Sequence, residues 1–183
     1  MRPFAALAVA LCVLTACHAK SNSAGGADAS GPAPGWDAIA GDDPDIAAVA
    51  VTVDGRPLYP AAVTAVLTNR LGEKDPKKAP TLLVTLENRT RESLTFDIPW
   101  KEAELGDRPD AKVSFALRRG MYVASGGAAR ASITRLDRVD GQFVCDANLD
   151  ATVTKVGGVG SAEVKASFKG LRVRGLPKLL QHQ

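Results

Sequence analysis

The sequence predicts an all-β domain, an antiparallel β-sandwich or flattened barrel of about eight to nine strands, preceded by a signal peptide and a flexible linker. From residue 46 onward, apolar residues alternate with polar ones in short runs, which is the period of a strand with one buried face. Gly, Pro, Asn and Asp separate these runs, and hardly any stretch repeats with a helical period. The β domain is therefore predicted to span residues 46–176, followed by a loose tail at 177–183.

The first strands of this domain are marked by β-branched residues. Three alternating valines within residues 49–53 lead into a turn signal at 54–57. Residues 61–68 are rich in Val, Thr and Ala, a composition that fits a strand or a short helix, and the β-branched residues favour the strand. A polar loop is predicted to follow at 69–80.

The next hairpin has the clearest pattern, because apolar residues alternate on both sides of a short polar stretch around Thr90. All six of these apolar side chains are predicted to lie on the buried face, whereas Thr85, Thr95 and Asp97 lie on the opposite face. A loop centred on Thr90 predicts three facing pairs: Leu86 with Leu94, Val84 with Phe96, and Leu82 with Ile98.

The chain between residues 99 and 111 is predicted to be a polar connection that contains Trp100. Alternating apolar residues predict a further strand at 113–117. After a turn at Gly120, the next strand is predicted at 121–124.

A long hairpin is predicted around Asp140-Gly141, a favoured two-residue turn. The register places apolar side chains on one face and sets Arg135 opposite Asp146 on the other, where opposite charges attract. The predicted facing pairs are Val139 with Gln142, Leu136 with Cys145, and Thr134 with Ala147.

The final strand is predicted from Val164, Ala166 and Phe168, which alternate with charged and small polar residues. A loop at 150–162 is predicted to precede it. The strand is predicted to continue beyond Gly170, where a bend is expected.

The N-terminus has the pattern of a secretory leader, in which Arg2 precedes an apolar run from Phe4 to Ala16. At ~1.5 Å per residue this run would extend about 20 Å, which is less than the ~30 Å hydrocarbon core of a bilayer. A permanent transmembrane helix therefore fits the run less well than a cleaved leader does.

The residues that end this run, Leu14, Thr15, Ala16 and Cys17, resemble a bacterial lipobox at all four positions. The resemblance implies that residues 1–16 are removed as a lipoprotein signal peptide and that Cys17 carries a diacylglycerol and an N-acyl chain. Two or three acyl chains hold a protein firmly on a membrane. The alternative is an ordinary signal peptide in which Cys17 has no special role.

The residue that follows Cys17 indicates which membrane would hold the protein. In Gram-negative lipoproteins an Asp there commonly retains the protein at the inner membrane, and this chain has His18. The resemblance therefore implies a cell-envelope protein that is lipid-anchored in the outer membrane of a Gram-negative bacterium.

Residues 17–45 are rich in Ser, Ala, Gly, Pro and Asp and are predicted to form a lipid-anchored flexible linker. The acidic cluster at 41–45 fits this charged linker better than a calcium loop, because it lacks the spaced oxygen ligands of such a loop.

Four short segments of the ordered part loosely resemble uncharacterised all-β lipoprotein domains. They cover turns and core positions, so the resemblance implies a fold and carries no chemistry. The segments are 51–57, 132–137, 141–143 and 166–170.

Few residues in the chain are suited to catalysis. The two histidines, His18 and His182, lie near the ends of the mature chain, which disfavours a Ser-His or Cys-His arrangement and a zinc site of the His/Cys kind. Cys145 alternates with core positions, which favours a buried thiol over a reactive one. No cofactor and no metal are predicted. No aromatic residues interleave the cations of the last strand, which disfavours a nucleic-acid surface.

If the protein is an enzyme, an acidic loop is the best candidate for its active site. Glu102, Glu104, Asp107 and Asp110 follow Trp100, and aromatic and acidic groups on a loop can contact sugars. A solvated connection in which Trp100 covers one edge of the core is the favoured interpretation. The sequence therefore predicts a membrane-anchored, non-catalytic β domain that binds a small ligand or an envelope protein. The alternative is a carbohydrate-active hydrolase of the cell envelope.

Overall fold

The computed structural model describes Trp36 and residues 43–68, 80–101 and 104–174, all within one compact unit, Gly31–Gln183. The predicted signal peptide, the lipobox with Cys17, most of the predicted linker and the predicted tail lie outside these residues. One helical turn and eleven strands form the described part: α1 (Pro44–Ala47), β1 (Val49–Val53), β2 (Arg56–Leu58), β3 (Ala62–Thr68), β4 (Thr81–Glu87), β5 (Ser93–Pro99), β6 (Gly106–Arg108), β7 (Lys112–Leu117), β8 (Gly120–Ala124), β9 (Ala129–Val139), β10 (Gln142–Lys155) and β11 (Ser161–Val173).

Nine of these strands follow one another across a single antiparallel sheet in the order β2-β1-β11-β10-β8-β7-β5-β4-β3. β9 pairs with the first part of β10, and β6 pairs with the other edge of β9. The sheet curls into a half-barrel, and its ends approach each other where the Arg174 N–H donates to Ala65 O at 2.9 Å. The predicted all-β antiparallel fold is confirmed.

The chain enters the sheet through α1, a single helical turn. Its N-cap is Asp43, whose side-chain Oδ1 accepts a hydrogen bond from Asp45 N at 2.9 Å, and Pro44 occupies the first turn, where its missing N–H costs nothing. This turn spans the predicted boundary between linker and domain at residues 45 and 46. Regular structure therefore begins two residues before that boundary.

The β4–β5 hairpin has the predicted register. Leu82, Val84 and Leu86 lie opposite Ile98, Phe96 and Leu94, and all six side chains are fully buried. The outer face of the same hairpin is also partly covered, because Leu83 is half-buried and Asp97 is buried. The sequence pattern therefore identified the inner face but not the burial of the outer one.

The β9–β10 hairpin follows the predicted register from Val139 and Gln142 as far as Arg135 and Asp146. Beyond this point the prediction is wrong, because a β-bulge shifts the pairing and places Ile133, and not Thr134, opposite Ala147.

Arg135 and Asp146 lie opposite each other as predicted, and the pKa of Arg135 is raised by its hydrogen bond to Asp137 and, less, by the charge of Asp146. Arg135 and Asp146 do not form one of the ion pairs found among the described residues. Arg135 Nη2 instead contacts Asp137 Oδ2 at 2.5 Å on the same strand. Asp146 Oδ1 accepts a hydrogen bond at 2.6 Å from the backbone N–H of Gly170, which lies on the neighbouring strand β11. The bend expected at Gly170 is present, with φ at 69° and a shift of register between β10 and β11.

Two connections contain more regular structure than predicted. The predicted loop at 150–162 is wrong, because β10 continues to Lys155 and β11 already begins at Ser161. β6 lies within the predicted connection at 99–111. In β10, the buried Ala151 and Val153 continue the alternation with exposed polar residues, so the strand pattern extends into the predicted loop.

The core fills the inside of the curl, and three edge-to-face aromatic pairs join distant parts of the chain within it. Phe96 and Phe168 have ring centroids 5.4 Å apart, as do Trp100 and Phe143. Trp36 packs on Phe115 at 5.9 Å and is fully buried, although it lies within the predicted linker. Such pairs add about 1 kcal/mol each to the burial of apolar area.

Candidate functional site

A groove of about 400 Å³ lies on the outer face of β4, β5, β7 and β8, away from the core. The strand register builds it in two rows. Leu83, Asp97 and Lys112 lie side by side in one row, and Thr95, Ser114 and Val123 do so in the next. Side chains two residues apart point to the same face of a strand, so these six residues line one surface.

Asp97 forms the polar base of this groove and is only 7% exposed. The hydroxyl of the buried Thr81 donates to Asp97 Oδ1 and also lies 3.0 Å from Ile98 O. A carboxylate can accept about four hydrogen bonds, and the described residues supply this single donor. Toward the described residues the carboxylate therefore retains acceptor capacity, and Asp97 lines the groove.

Lys112 lies opposite Asp97 on the neighbouring strand and is exposed. None of the ion pairs found among the described residues includes it. Leu83 and Val123 supply apolar surface between these charges and the rest of the groove. The groove thus offers a buried anionic group, a cation at its rim and apolar surface to one small molecule.

A second groove of about 370 Å³ lies over β6, β9 and β10 and has a different character. Asp107, Ser132 and Asn148 form one row, and Arg130 pairs with Asp150 in another. The side chains that line this groove in the described part of the chain include no aromatic ring. Strand spacing puts the Cα atoms of Asp107 and Asp150 about 12 Å apart.

The acidic loop predicted for sugar chemistry is not assembled as a cleft by the described residues. Glu102 lies outside them. The exposed Glu104 pairs with Lys101 at 3.1 Å, and Asp107 instead lines the second groove. Trp100 is buried against Phe143, as expected for a residue that covers one edge of the core.

The buried Arg108 holds this connection in place. Its guanidinium donates to four backbone carbonyls, those of Pro99, Glu104, Gly106 and Asp107, at distances between 2.8 and 3.2 Å. Bonds to backbone carbonyls satisfy the donors of a buried guanidinium. Arg108 therefore fixes the conformation of the loop, and its donors point into the backbone.

Cys145 is buried within the core, as its alternation predicted. Burial, together with a smaller contribution from the negative charge of Asp146, raises the pKa of its thiol to about 12. Because the thiolate is the nucleophile, a thiol in this environment is inert at neutral pH. Within the described part of the chain no three His, Cys, Asp or Glu residues cluster as metal ligands do. His18 and His182 lie outside that part.

The sequence analysis assigned Asp97 to the outer face correctly but did not identify the groove. One signal was present: Leu82, Leu83 and Val84 form a continuous apolar run, which is typical of a strand covered on both faces. The partnership of Thr81 with Asp97 joins two strands and leaves no pattern in the sequence.

Among the helices of the described residues, none has the length and apolar character needed to cross a bilayer. Comparisons of the chain with protein-family models, with curated proteins and with solved structures found no match.

Proposed function

We propose that the protein is an envelope lipoprotein whose β domain binds a small ligand in the groove over β4, β5, β7 and β8 and catalyses no reaction. The lipobox residues at 14–17 support the anchor, and His18 after the cysteine supports the outer membrane. The observation that carries the binding proposal is Asp97, which is almost fully buried at the base of the groove with one hydroxyl donor.

The chemistry of the groove favours a particular class of ligand. An ionised carboxylate is costly to bury unless donors surround it, so a ligand that supplies N–H or ammonium donors would offset this cost. Leu83 and Val123 favour an apolar group beside those donors. Lys112 at the rim would attract an anionic group on the same molecule. A volume of about 400 Å³ lies within the usual range of small-molecule sites.

The edges of the sheet give less support to a protein partner that adds a strand. β2 has three residues, one of which is Pro57 and lacks an N–H, and β6 also has three. The edge of β3 is partly occupied, because Ala65 O and Leu67 N both hydrogen-bond to Arg174. Short, interrupted or occupied edges disfavour strand addition.

Native mass spectrometry of the acylated protein, gently extracted from its own membranes, tests this proposal. We expect added mass on Cys17 and a further non-covalent mass of a small molecule. Asp97→Asn should lose that second mass, because the neutral amide no longer attracts a cationic donor. Asp107→Asn, in the second groove, is the matched control and should retain it. A small molecule that stays bound to Asp97→Asn, or none in the wild type, would contradict the groove assignment.

A carbohydrate-active hydrolase is the second candidate, and one observation favours it. Asp107 and Asp150 line the same polar groove, as a pair of catalytic carboxylates must. Turnover of envelope polysaccharides by the purified protein would support this candidate if Asp107→Asn and Asp150→Asn each abolish it. Turnover that both variants retain, or that is absent from the wild type, would count against it.

A further inference from the structure

Three turns meet at one end of the half-barrel, and we call this surface the basic end. It consists of the β4–β5 turn at 88–92, the β7–β8 turn at 118–119 with Met121, and the β10–β11 turn from Lys155 to residue 160. Arg118 N donates to Glu92 Oε1 at 3.0 Å and links the first two turns. Val156 N donates to Met121 O at 2.8 Å and links the second to the third.

Positive charge is concentrated on these turns. Four arginines are exposed, Lys155 is half-buried, and Glu92, the one acid among these residues, is buried. The adjoining strand ends carry three exposed acids, Glu87, Asp54 and Glu163. Asp54 accepts a hydrogen bond from Glu163 N, and the Glu163 carboxylate pairs with Lys165 at 3.0 Å. A cluster of this kind attracts anions over about 10 Å. The exposed arginines are Arg89, Arg91, Arg118 and Arg119.

Apolar side chains project from the same end. Val159 is fully exposed at the tip of the β10–β11 hairpin, Val156 is 56% exposed, and Met121 is 46% exposed. Glycines at positions 157 and 158 place no polar side chain between Val156 and Val159 in the sequence of the turn. Exposed valines on a hairpin tip, with cations on the neighbouring turns, match the composition of surfaces that enter the headgroup region of a membrane.

Trp36, the described residue that is closest in sequence to the predicted lipid attachment site, also lies at this end. Trp36 is fully buried there: its Nε1 donates to Glu92 Oε2 at 3.2 Å, and its carbonyl accepts from Tyr59 N at 3.1 Å. Cys17 precedes Trp36 by nineteen residues. A linker of the predicted flexible kind and of this length would average about 25 Å from end to end, which would keep the basic end near the lipid.

We propose that the basic end lies against the anionic surface of the membrane that holds the lipid. Val156 and Val159 lie at headgroup depth, and the arginines contact lipid phosphates. This inference rests on the lipid anchor of the proposed function, and it goes beyond that function by fixing which end of the domain faces the bilayer. The opposite end would then face away from the membrane.

The opposite end provides a matched control. Val139 adjoins the Asp140-Gly141 turn of the β9–β10 hairpin and is 49% exposed, so it is also an apolar residue near a hairpin tip. Its neighbours carry both signs of charge, with Asp137 and Asp140 beside Arg138. Two acids and one arginine leave this turn with a net charge of −1, which gives no attraction for anionic lipid.

The test places one environment-sensitive fluorophore on the acylated protein, through Val159→Cys or Val139→Cys, in phosphatidylcholine vesicles with or without phosphatidylglycerol. The buried Cys145 thiol should not compete for the label. We expect the Val159→Cys label to shift to the blue and to be quenched by a lipid-borne quencher when phosphatidylglycerol is present. The Val139→Cys label should stay in water.

Charge removal tests the role of the arginines. Arg118→Gln and Arg119→Gln together should weaken protection of the Val159→Cys label in phosphatidylglycerol vesicles by about fivefold for each charge removed. Both replaced side chains are exposed, so circular dichroism should show an unchanged fold.

Three results would overturn the proposal: equal exposure of both labels, protection of the Val139→Cys label alone, or protection that ignores phosphatidylglycerol. If these appear while Cys17 carries acyl mass and the protein floats with vesicles, the orientation is wrong and the anchor stands. If the acyl mass is absent, the anchor fails and this inference fails with it.

Discussion

The β4–β5 and β9–β10 hairpins are both antiparallel pairs joined by short turns, yet they are stabilised in different ways. In β4–β5 every inward position on both strands is a large buried side chain, and the pairing is regular throughout. In β9–β10 the inward positions include the small Ala147, and the pairing slips by one residue at Asp146. Large facing side chains on both strands fix a register, whereas small ones leave it open to a bulge.

The turns differ in the same sense. The β4–β5 turn is tied to distant elements through Glu92, which accepts from Trp36, Asn88 and Arg118 N. The β9–β10 turn depends on backbone conformation, with Asp140 and Gly141 both at positive φ. One hairpin is therefore integrated into the core, and the end of the other is a local structure.

The largest expected effect compares one phenylalanine from each hairpin. Phe96→Ala removes a fully buried ring that packs on Phe168, and should lower the free energy of unfolding by about 4 kcal/mol. Phe143→Ala removes a half-buried ring, and should cost about 1–2 kcal/mol. Urea unfolding measures both, with Phe96→Leu as a milder variant if Phe96→Ala does not fold. Equal losses would contradict the distinction.

The second-largest loss of stability is expected when the hydrogen bonds of Glu92 are removed. Glu92→Ala leaves three donors without their acceptor, and should lower the free energy of unfolding by about 3 kcal/mol. Asp140→Asn in the other turn keeps a residue that tolerates positive φ, so its effect should stay within about 0.5 kcal/mol. The tryptophan fluorescence of Glu92→Ala should also shift as Trp36 gains contact with water. An unchanged stability of Glu92→Ala would show that the tie is dispensable.

The bulge in β9–β10 gives a smaller effect. Asp146→Ala removes the acceptor for Gly170 N and should destabilise the protein by about 1.5 kcal/mol. Hydrogen exchange at the Gly170 amide should accelerate. Asp137→Ala, which breaks an exposed ion pair with Arg135, is the control and should leave stability unchanged. Slow exchange at Gly170 in Asp146→Ala would contradict this account of the bulge.

The smallest effect is a pH dependence located at Cys145 in β10. The folded thiol has a pKa of about 12, raised by burial from 9.0, so the unfolded chain releases this proton first as the pH rises. The stability that the neutral thiol contributes is present below pH 9.0 and is lost as the pH rises towards 12. Between about pH 8 and about pH 10 the loss should be about 1 kcal/mol. Cys145→Ala should lack this component, and identical pH profiles for the two proteins would contradict it.

The accuracy of the sequence analysis follows the same difference between regions. The register of β4–β5 was predictable because Leu82, Val84 and Leu86 alternate without interruption. The slip in β9–β10 was not, because it lies where Asp146 accepts a hydrogen bond from Gly170 N on a third strand. Periodicity reports which face of a strand is apolar, and it contains no information about a third strand.

The candidate groove was harder to predict for a related reason. Asp97 was expected on the outer face, where a carboxylate is normally solvated, and it is buried because Thr81 and the neighbouring strands cover it. The burial of Trp36 was hidden by its surroundings, since the residues on either side of it have the composition of a linker. In both cases the decisive partner lies far away in the sequence.

The position of β11 also determines when the protein can fold. β1 pairs with β11, so Val49 meets Phe168, and backbone hydrogen bonds of Arg174 join the end of β11 to the edge strand β3. During synthesis, β1 therefore cannot pair with β11 until nearly the whole chain has been made. Pairing over such sequence separations makes folding slow, on the order of milliseconds to seconds. A nascent chain that stops before Ser161 leaves one edge of β1 and one edge of β10 unpaired, so we expect the sheet to be completed only after the last strand is made.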